Sequence, residues 1–117
     1  MTEPRLAAHI RIEALKRLTQ AAGGFATLLA KGDPTSGAIL IARTIRGAHN
    51  VVLEAISGID DTVQWREIWD EDKATIARKG TLPEYIARRR KQDGDLWVIE
   101  LDVANCAQFN AIIAQAR

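Results

Sequence analysis

The residues best equipped for chemistry are a run of four cations, a glycine-flanked loop and three tryptophans. Arg88-Arg89-Arg90-Lys91, with Arg78 and Lys79 upstream, is the densest positive charge in the chain and suits the phosphates of a nucleic acid or nucleotide. On a helix, consecutive side chains point about 100° apart, so the four cannot all face one ligand. Their plainer role is a solvated last turn that complements the helix dipole. Asp60, Asp61, Glu67, Asp70, Glu71 and Asp72 crowd nearby in sequence and offer the patch partners, within the chain or across a dimer.

Lys31-Gly32-Asp33-Pro34-Thr35-Ser36-Gly37 combines two glycines, two hydroxyls and a cation, the ingredients of an anion-holding loop. It lacks the Gly-Lys-Ser/Thr ending of a P-loop, and no helix follows directly to supply an N-terminus for a phosphate. Turn chemistry favours a hairpin connection instead. Trp65, Trp69 and Trp97 are half of the aromatic side chains. Exposed together they would anchor a partner or stack on bases; buried, they are core. Trp97 is expected inside, because large rings supply much of a small core, while Trp65 and Trp69 remain open to either role.

Catalysis finds little to work with. His9 lies one helical turn from Glu13 and His49 sits in a turn, and neither has a serine, cysteine or second histidine at telling spacing. They read as lone exposed histidines. Asp93 and Asp95 can be paired on paper for acid-base work, but a polar turn between helix and strand explains both. A metal needs three or four converging ligands, and the carboxylates look scattered, so no metal or cofactor is expected.

These residues must be positioned by a chain of 117 residues, a length that fits one domain over 1–117 with a core of its own. Sixteen basic and fifteen acidic side chains leave a net charge of +1, so no global field draws the chain to nucleic acid or anionic lipid. A single cysteine, Cys106, excludes an intrachain disulfide. Glu3 and the absence of an apolar run after it argue against a signal peptide, and no stretch approaches the roughly 18 apolar residues of a membrane span. A cytoplasmic setting without membrane contact is expected.

Leu6, Ile10, Ala14, Leu18 and Ala21 recur at helical spacing and predict a helix from about Arg5 to Ala22, ended by Gly23-Gly24. Three strands follow, Phe25 to Lys31, Ala38 to Arg46 and Val51 to Ser57, with hairpins at Gly32 to Gly37 and Gly47 to Asn50. Ile39, Ile41 and Ile45 share one face of the middle strand with Arg43, and that face is expected to meet the helices. Val63, Trp65 and Trp69 fall on one side of a fourth strand after Gly58-Ile59-Asp60-Asp61. The Trp spacing also fits a helical turn, but β-favouring residues after a turn favour strand.

Thr81-Leu82-Pro83-Glu84 is a capping box that starts a helix over residues 81–92, with Leu82, Tyr85 and Ile86 on its apolar stripe. In the strand that begins after Asp93-Gly94-Asp95, Leu96, Val98 and Glu100 take one face and Trp97, Ile99 and Leu101 the other. Both faces are largely apolar, so the strand belongs in the interior of a sheet. Asn105 and Gln108 can cap a terminal helix with Cys106, Phe109, Ile113 and Ala116 on one face.

Three stretches carry a resemblance: Ala21-Ala22-Gly23-Gly24-Phe25-Ala26-Thr27, Lys31-Gly32-Asp33 with Ser36-Gly37-Ala38-Ile39, and Arg88-Arg89 running into Asp93-Gly94-Asp95-Leu96-Trp97-Val98-Ile99-Glu100. Over roughly Leu6 to Asp102 the chain resembles the small bacterial family known as domain of unknown function 1491, with the last helix as an addition. Gly94 stands where the family pattern usually has proline, which loosens that turn. The resemblance implies a shared fold and a bacterial cytoplasmic setting. It implies no activity and carries over no functional residues.

The expectation is therefore one α+β domain, two-layered, with a mostly antiparallel sheet of about five strands, helices on one face, and the order αββββαβα. The function class that fits is a non-catalytic protein-interaction module, using Trp65 and Trp69 with an acidic rim to hold a protein partner or a second copy. The alternative is nucleic-acid or phosphate binding through Arg88, Arg89, Arg90 and Lys91.

Overall fold

Between the glycine exit at Gly23 and the turn at Asp93 the chain lays down four strands and two helices, and a fifth strand then inserts among the earlier ones. The computed structural model describes residues 7–57 and 63–116. Its elements are α1 (Ala8–Ala21), β1 (Phe25–Ala30), β2 (Ile39–Ile45), β3 (Ala48–Ser57), β4 (Val63–Asp70), α2 (Glu71–Ile76), α3 (Leu82–Gln92), β5 (Trp97–Val103) and α4 (Cys106–Gln115). Arg5 and Leu6 of the anticipated first helix, and Gly58 to Asp61 of the turn before β4, lie outside the described residues.

The five strands form one sheet in the order β1-β5-β2-β3-β4. β5 runs antiparallel to β1 and parallel to β2, and the remaining pairs are antiparallel. The interior place expected for β5 is thus observed. It displaces the hairpin expected between β1 and β2, so residues 32–37 form a crossover past the start of β5. Turn residues announce that the chain changes direction; they do not announce which later strand fills the gap.

Helices cover both faces of this sheet, which corrects the two-layer, one-face expectation. On one face Ile39, Ile41, Trp97, Ile99, Leu101 and Val103 pack with Ala8, Ile12 and Leu15 of α1 and with Phe109 and Ile112 of α4. On the other, Leu40, Ala42, Val52, Leu96 and Val98 pack with Leu82 and Ile86 of α3. The physical reason lies in β2 and β5 themselves: strands apolar on both sides leave no face that water can be allowed to touch. The isoleucine face of β2 does meet α1 and α4, as anticipated.

Two local details depart from expectation. The buried side of α1 is Ala8, Ile12, Leu15 and Thr19, while Ile10 is 46% exposed, so the helix is rotated from the stripe drawn through Ile10. A six-residue helix, α2, was not anticipated; its Asp70 cap accepts from the amides of Asp72 and Lys73, and the order becomes αββββααβα. Elsewhere the local signals hold. Gly23 takes φ +87° at the end of α1, the Thr81 hydroxyl accepts from the Glu84 amide and donates to the Glu84 carboxylate, and Asn105 accepts from the Gln108 amide. The β2–β3 reversal is tighter than Gly47 to Asn50: Arg46 and Gly47, both at positive φ, make a two-residue turn of the type that hairpins favour.

Candidate functional site

The loop over 32–37 already holds an anion, its own. The Asp33 carboxylate accepts from the Thr35 amide at 3.0 Å, the Ser36 amide at 2.7 Å and the Ser36 hydroxyl at 3.0 Å. Those donors, led by Ser36, hold the Asp33 carboxyl below its ordinary pKa. A phosphate would have to displace a covalently tethered competitor. The sign of the linkage follows: a lowered folded-state pKa contributes stability that is complete above the unfolded carboxyl value of about 4 and disappears as pH falls through the folded one. Urea midpoints of wild type and Asp33→Asn should differ at neutral pH and converge in acid; a constant difference across that range would refute the linkage.

The same loop locks onto β5. The Asp33 amide donates to the Asp95 carbonyl at 3.0 Å, the Trp97 indole Nε1 donates to the Asp33 carbonyl at 2.7 Å, and the Trp97 amide donates to the Ala38 carbonyl at 2.8 Å. Trp97 is buried, as expected. Asp93 and Asp95 are engaged as turn residues, the Asp93 carboxylate accepting from the Asp95 amide at 3.0 Å. Two of the three stretches that carry the family resemblance, residues 31–39 and 88–100, therefore meet at one junction, and their work there is architectural.

Trp65 and Trp69 do not share a face. Leu53 pairs with Glu67 and Val52 with Trp69, which leaves Ile68 as an extra residue in β4. That β-bulge reverses the alternation, so Trp65 packs toward the α1/α4 core and Trp69 toward the α3 core. Both rings stay partly exposed. The joint tryptophan surface is replaced by something else: Trp69 stacks on Tyr85 of α3, with ring centroids 5.5 Å apart and planes at 24°.

Around that aromatic pair lies an open groove of about 650 Å³ between β4, α2 and α3, whose rim carries Lys73, Lys79 and Arg88. The Arg88 guanidinium sits 5.9 Å from the Tyr85 ring centroid. Among the described residues, none of these three cations is within ion-pair distance of a carboxylate. Glu67 and Asp70 also reach the groove but are engaged elsewhere: Glu67 faces Arg43 at 3.6 Å, and Asp70 caps α2. The Lys73 amide, then that of Asp72 and the charges of His49 and Lys73, hold the Asp70 carboxyl below its usual range against some desolvation.

The rest of the basic run disperses as helical geometry requires. Arg89 turns inward, donating to the Tyr85 hydroxyl at 3.0 Å and facing Glu54 at 3.7 Å, while Glu54 also pairs with Arg66. Arg90 donates to the Lys31 carbonyl at 3.4 Å, and Lys91 is exposed. Only Arg88 of the four reaches the groove. Sequence reasoning singled out Trp69 and Arg88 but did not join them. It treated Tyr85 as helix stripe and overlooked Lys73, because α2 itself was overlooked.

Neither histidine is alone. His9 Nδ1 lies 2.8 Å from the Pro34 carbonyl. His49, at φ +59° in the bulged start of β3, places Nδ1 2.9 Å from Asp72 and Nε2 3.8 Å from Asp70. Ligand atoms of His49, Asp70 and Asp72 fall within 4.8 Å of one another, so carboxylates that look scattered in sequence do converge with an imidazole. The donor set has the nitrogen and oxygen atoms a divalent cation takes. Both aspartates, however, open α2, where the helix dipole favours negative charge and opposes a cation. The arrangement serves as a clasp between the β2–β3 turn and the β4–α2 junction, reinforced by Glu71, which accepts from the Asn50 amide and side chain at 2.7 and 2.8 Å.

A family model described as "Protein of unknown function (DUF1491)" matches residues 6–111, reaching into α4 rather than stopping before it. No curated protein matches. Among solved structures, the crystal structure of a DUF1491 family protein from Caulobacter crescentus CB15 superposes with a TM-score of 0.74 at 25% identity, covering 90% of this chain and 94% of that one. The solution structure of protein Atu0922 from A. tumefaciens gives 0.61 at 28% identity, over 84% and 86%. An NMR structure of a DUF1491 family protein from C. crescentus gives 0.62 at 28%, over 82% and 84%.

Proposed function

Because this chain belongs to the DUF1491 family, described only as of unknown function, we propose its role from its own groove: a non-catalytic protein-interaction module that grips an acidic polypeptide segment. The observation that carries this reading is the stacked Trp69–Tyr85 pair ringed by Lys73, Lys79 and Arg88, three cations without a carboxylate partner among the described residues. Aromatic plates with a charged rim are the anchors that interfaces favour. Its two carboxylates are committed to structure, Glu67 facing Arg43 and Asp70 capping α2, which favours a binding role over a catalytic one.

A polypeptide suits it better than a nucleic acid. Trp69 and Tyr85 already spend one ring face each on the other, which leaves less for stacked bases, and the basic run is split between Glu54, the Lys31 carbonyl and the groove. The setting we propose is the bacterial cytoplasm, in keeping with the sources of the similar structures and with Cys106 being free. No described helix is long and apolar enough to cross a membrane.

The test is titration of the full chain with a synthetic Asp/Glu-rich peptide carrying one phenylalanine, read by tryptophan fluorescence and amide chemical shifts. Binding should perturb Trp69, Tyr85, Lys73 and Lys79. The Lys79→Glu/Arg88→Glu chain should bind about 10-fold or more weakly, while its thermal midpoint stays near wild type because both side chains are exposed. Perturbation by single-stranded DNA but not by the peptide would transfer the site to nucleic acid, and silence toward both would remove the reading.

A further inference from the structure

Five large apolar side chains stand exposed among the described residues, and three of them, Phe25 at 72%, Leu28 at 39% and Leu29 at 40%, belong to the single strand β1. That strand is an edge of the sheet, with β5 as its one described neighbour, so among the described residues the amides and carbonyls of its other side have no strand partner. From Phe25 to Ala30 it carries no charge. The opposite edge is built differently: β4 has Arg66 and Glu67 beside the bulge at Ile68, the devices that keep an edge from pairing. β1 has only the irregularity at Leu29, which leaves Phe25 to Leu28 as a regularly paired stretch.

We propose that β1 is a self-pairing edge, joining antiparallel to β1 of a second copy about a twofold axis normal to the sheet and extending five strands to ten. The second copy is the occupant that the charges favour. An uncharged strand meets its own image without like-charge apposition, and two chains of net charge +1 repel each other little at a distance. The twofold consumes both β1 edges and leaves only the two guarded β4 edges outside, so growth stops at the dimer. Such an interface falls below the roughly 1,200 Å² of a standard one and forms a weak, concentration-dependent dimer.

Thr27 is exposed on this strand, so its replacement probes pairing without emptying the core. Sedimentation of the full chain from about 10 μM to about 1 mM should show a monomer–dimer equilibrium, which Thr27→Lys and Thr27→Glu each weaken by about 10-fold or more. Mixing the two variants should restore a mixed dimer, and β1 amides should gain exchange protection as concentration rises. A monomer throughout, a dimer that survives both substitutions, or a mixture that stays monomeric would each overturn the proposal. None of these outcomes depends on the groove, which lies at the far edge of the sheet.

Discussion

A chain carrying Gly37→Ala is expected to lose about 3 kcal/mol or more of folding stability, a large part of the 5–15 kcal/mol of an ordinary domain. A Cβ at Gly37 would stand 2.2 Å from the Asp95 carbonyl oxygen and 2.7 Å from the Trp97 ring. At Gly32 it would stand 2.0 Å from that same oxygen and 2.7 Å from the carbonyl carbon of Leu96. The obstacles are mainly backbone, and moving them means prising the loop from the start of β5 and breaking the Asp33 to Asp95 hydrogen bond. Gly32→Ala should match or exceed the effect. Gly94→Ala is the control: nothing lies within 4 Å of its Cβ position, and its unfolding free energy from urea melts should stay within about 0.5 kcal/mol of wild type. If Gly37→Ala unfolded like the control, the loop could not be resting on β5.

That junction also marks the boundary of what the sequence made legible. Features set by a few neighbouring residues were readable: the Thr81–Glu84 cap, the Asn105 cap, the exit at Gly23, and the two apolar faces of β5. Features set by distant partners were not. Turn residues at 32–37 look alike whether the next strand pairs with the last or leaves room for a third, and the free energy that puts β5 in the gap comes from burying both its faces. The two apolar faces of β2 and β5 already implied helices on both sides; the one-face expectation did not follow that implication through.

The candidate site was half legible for a related reason. Period-two counting along β4 puts Trp65 and Trp69 together, and one inserted residue, Ile68, sends them to opposite faces. Nothing in the residue types marks the bulge. For α1, the helical spacing through Leu6, Ile10, Ala14, Leu18 and Ala21 passed over a second register, Ala8, Ile12, Leu15 and Thr19, and it is this one that the helix buries. The basic run was correctly expected to fan out, but only the placement of α2 and α3 shows Arg88 as the member that joins Trp69, Tyr85, Lys73 and Lys79 at one opening.

Trp97→Ala is expected to cost about 3–5 kcal/mol, and Trp97→Phe about 1–3 kcal/mol, with the difference separating two contributions of one side chain. The ring is buried between β2, α1 and α4 and fills volume that nothing nearby can reclaim, which is what alanine removes. Phenylalanine keeps much of that volume but cannot donate, and the Asp33 carbonyl loses the indole proton it accepts at 2.7 Å. Because the Asp33 side chain simultaneously folds the loop around itself, the carbonyl's position depends on the carboxylate's bonds to Thr35 and Ser36. Trp97→Phe and Asp33→Ala should therefore be non-additive by about 0.5 kcal/mol or more in a double-mutant cycle, each change weakening the loop geometry that the other reads. Strict additivity would mean that the loop holds its shape without Trp97. The resemblance-bearing residues around the crossover and the start of β5 would then be two separate structural units, not one clamp.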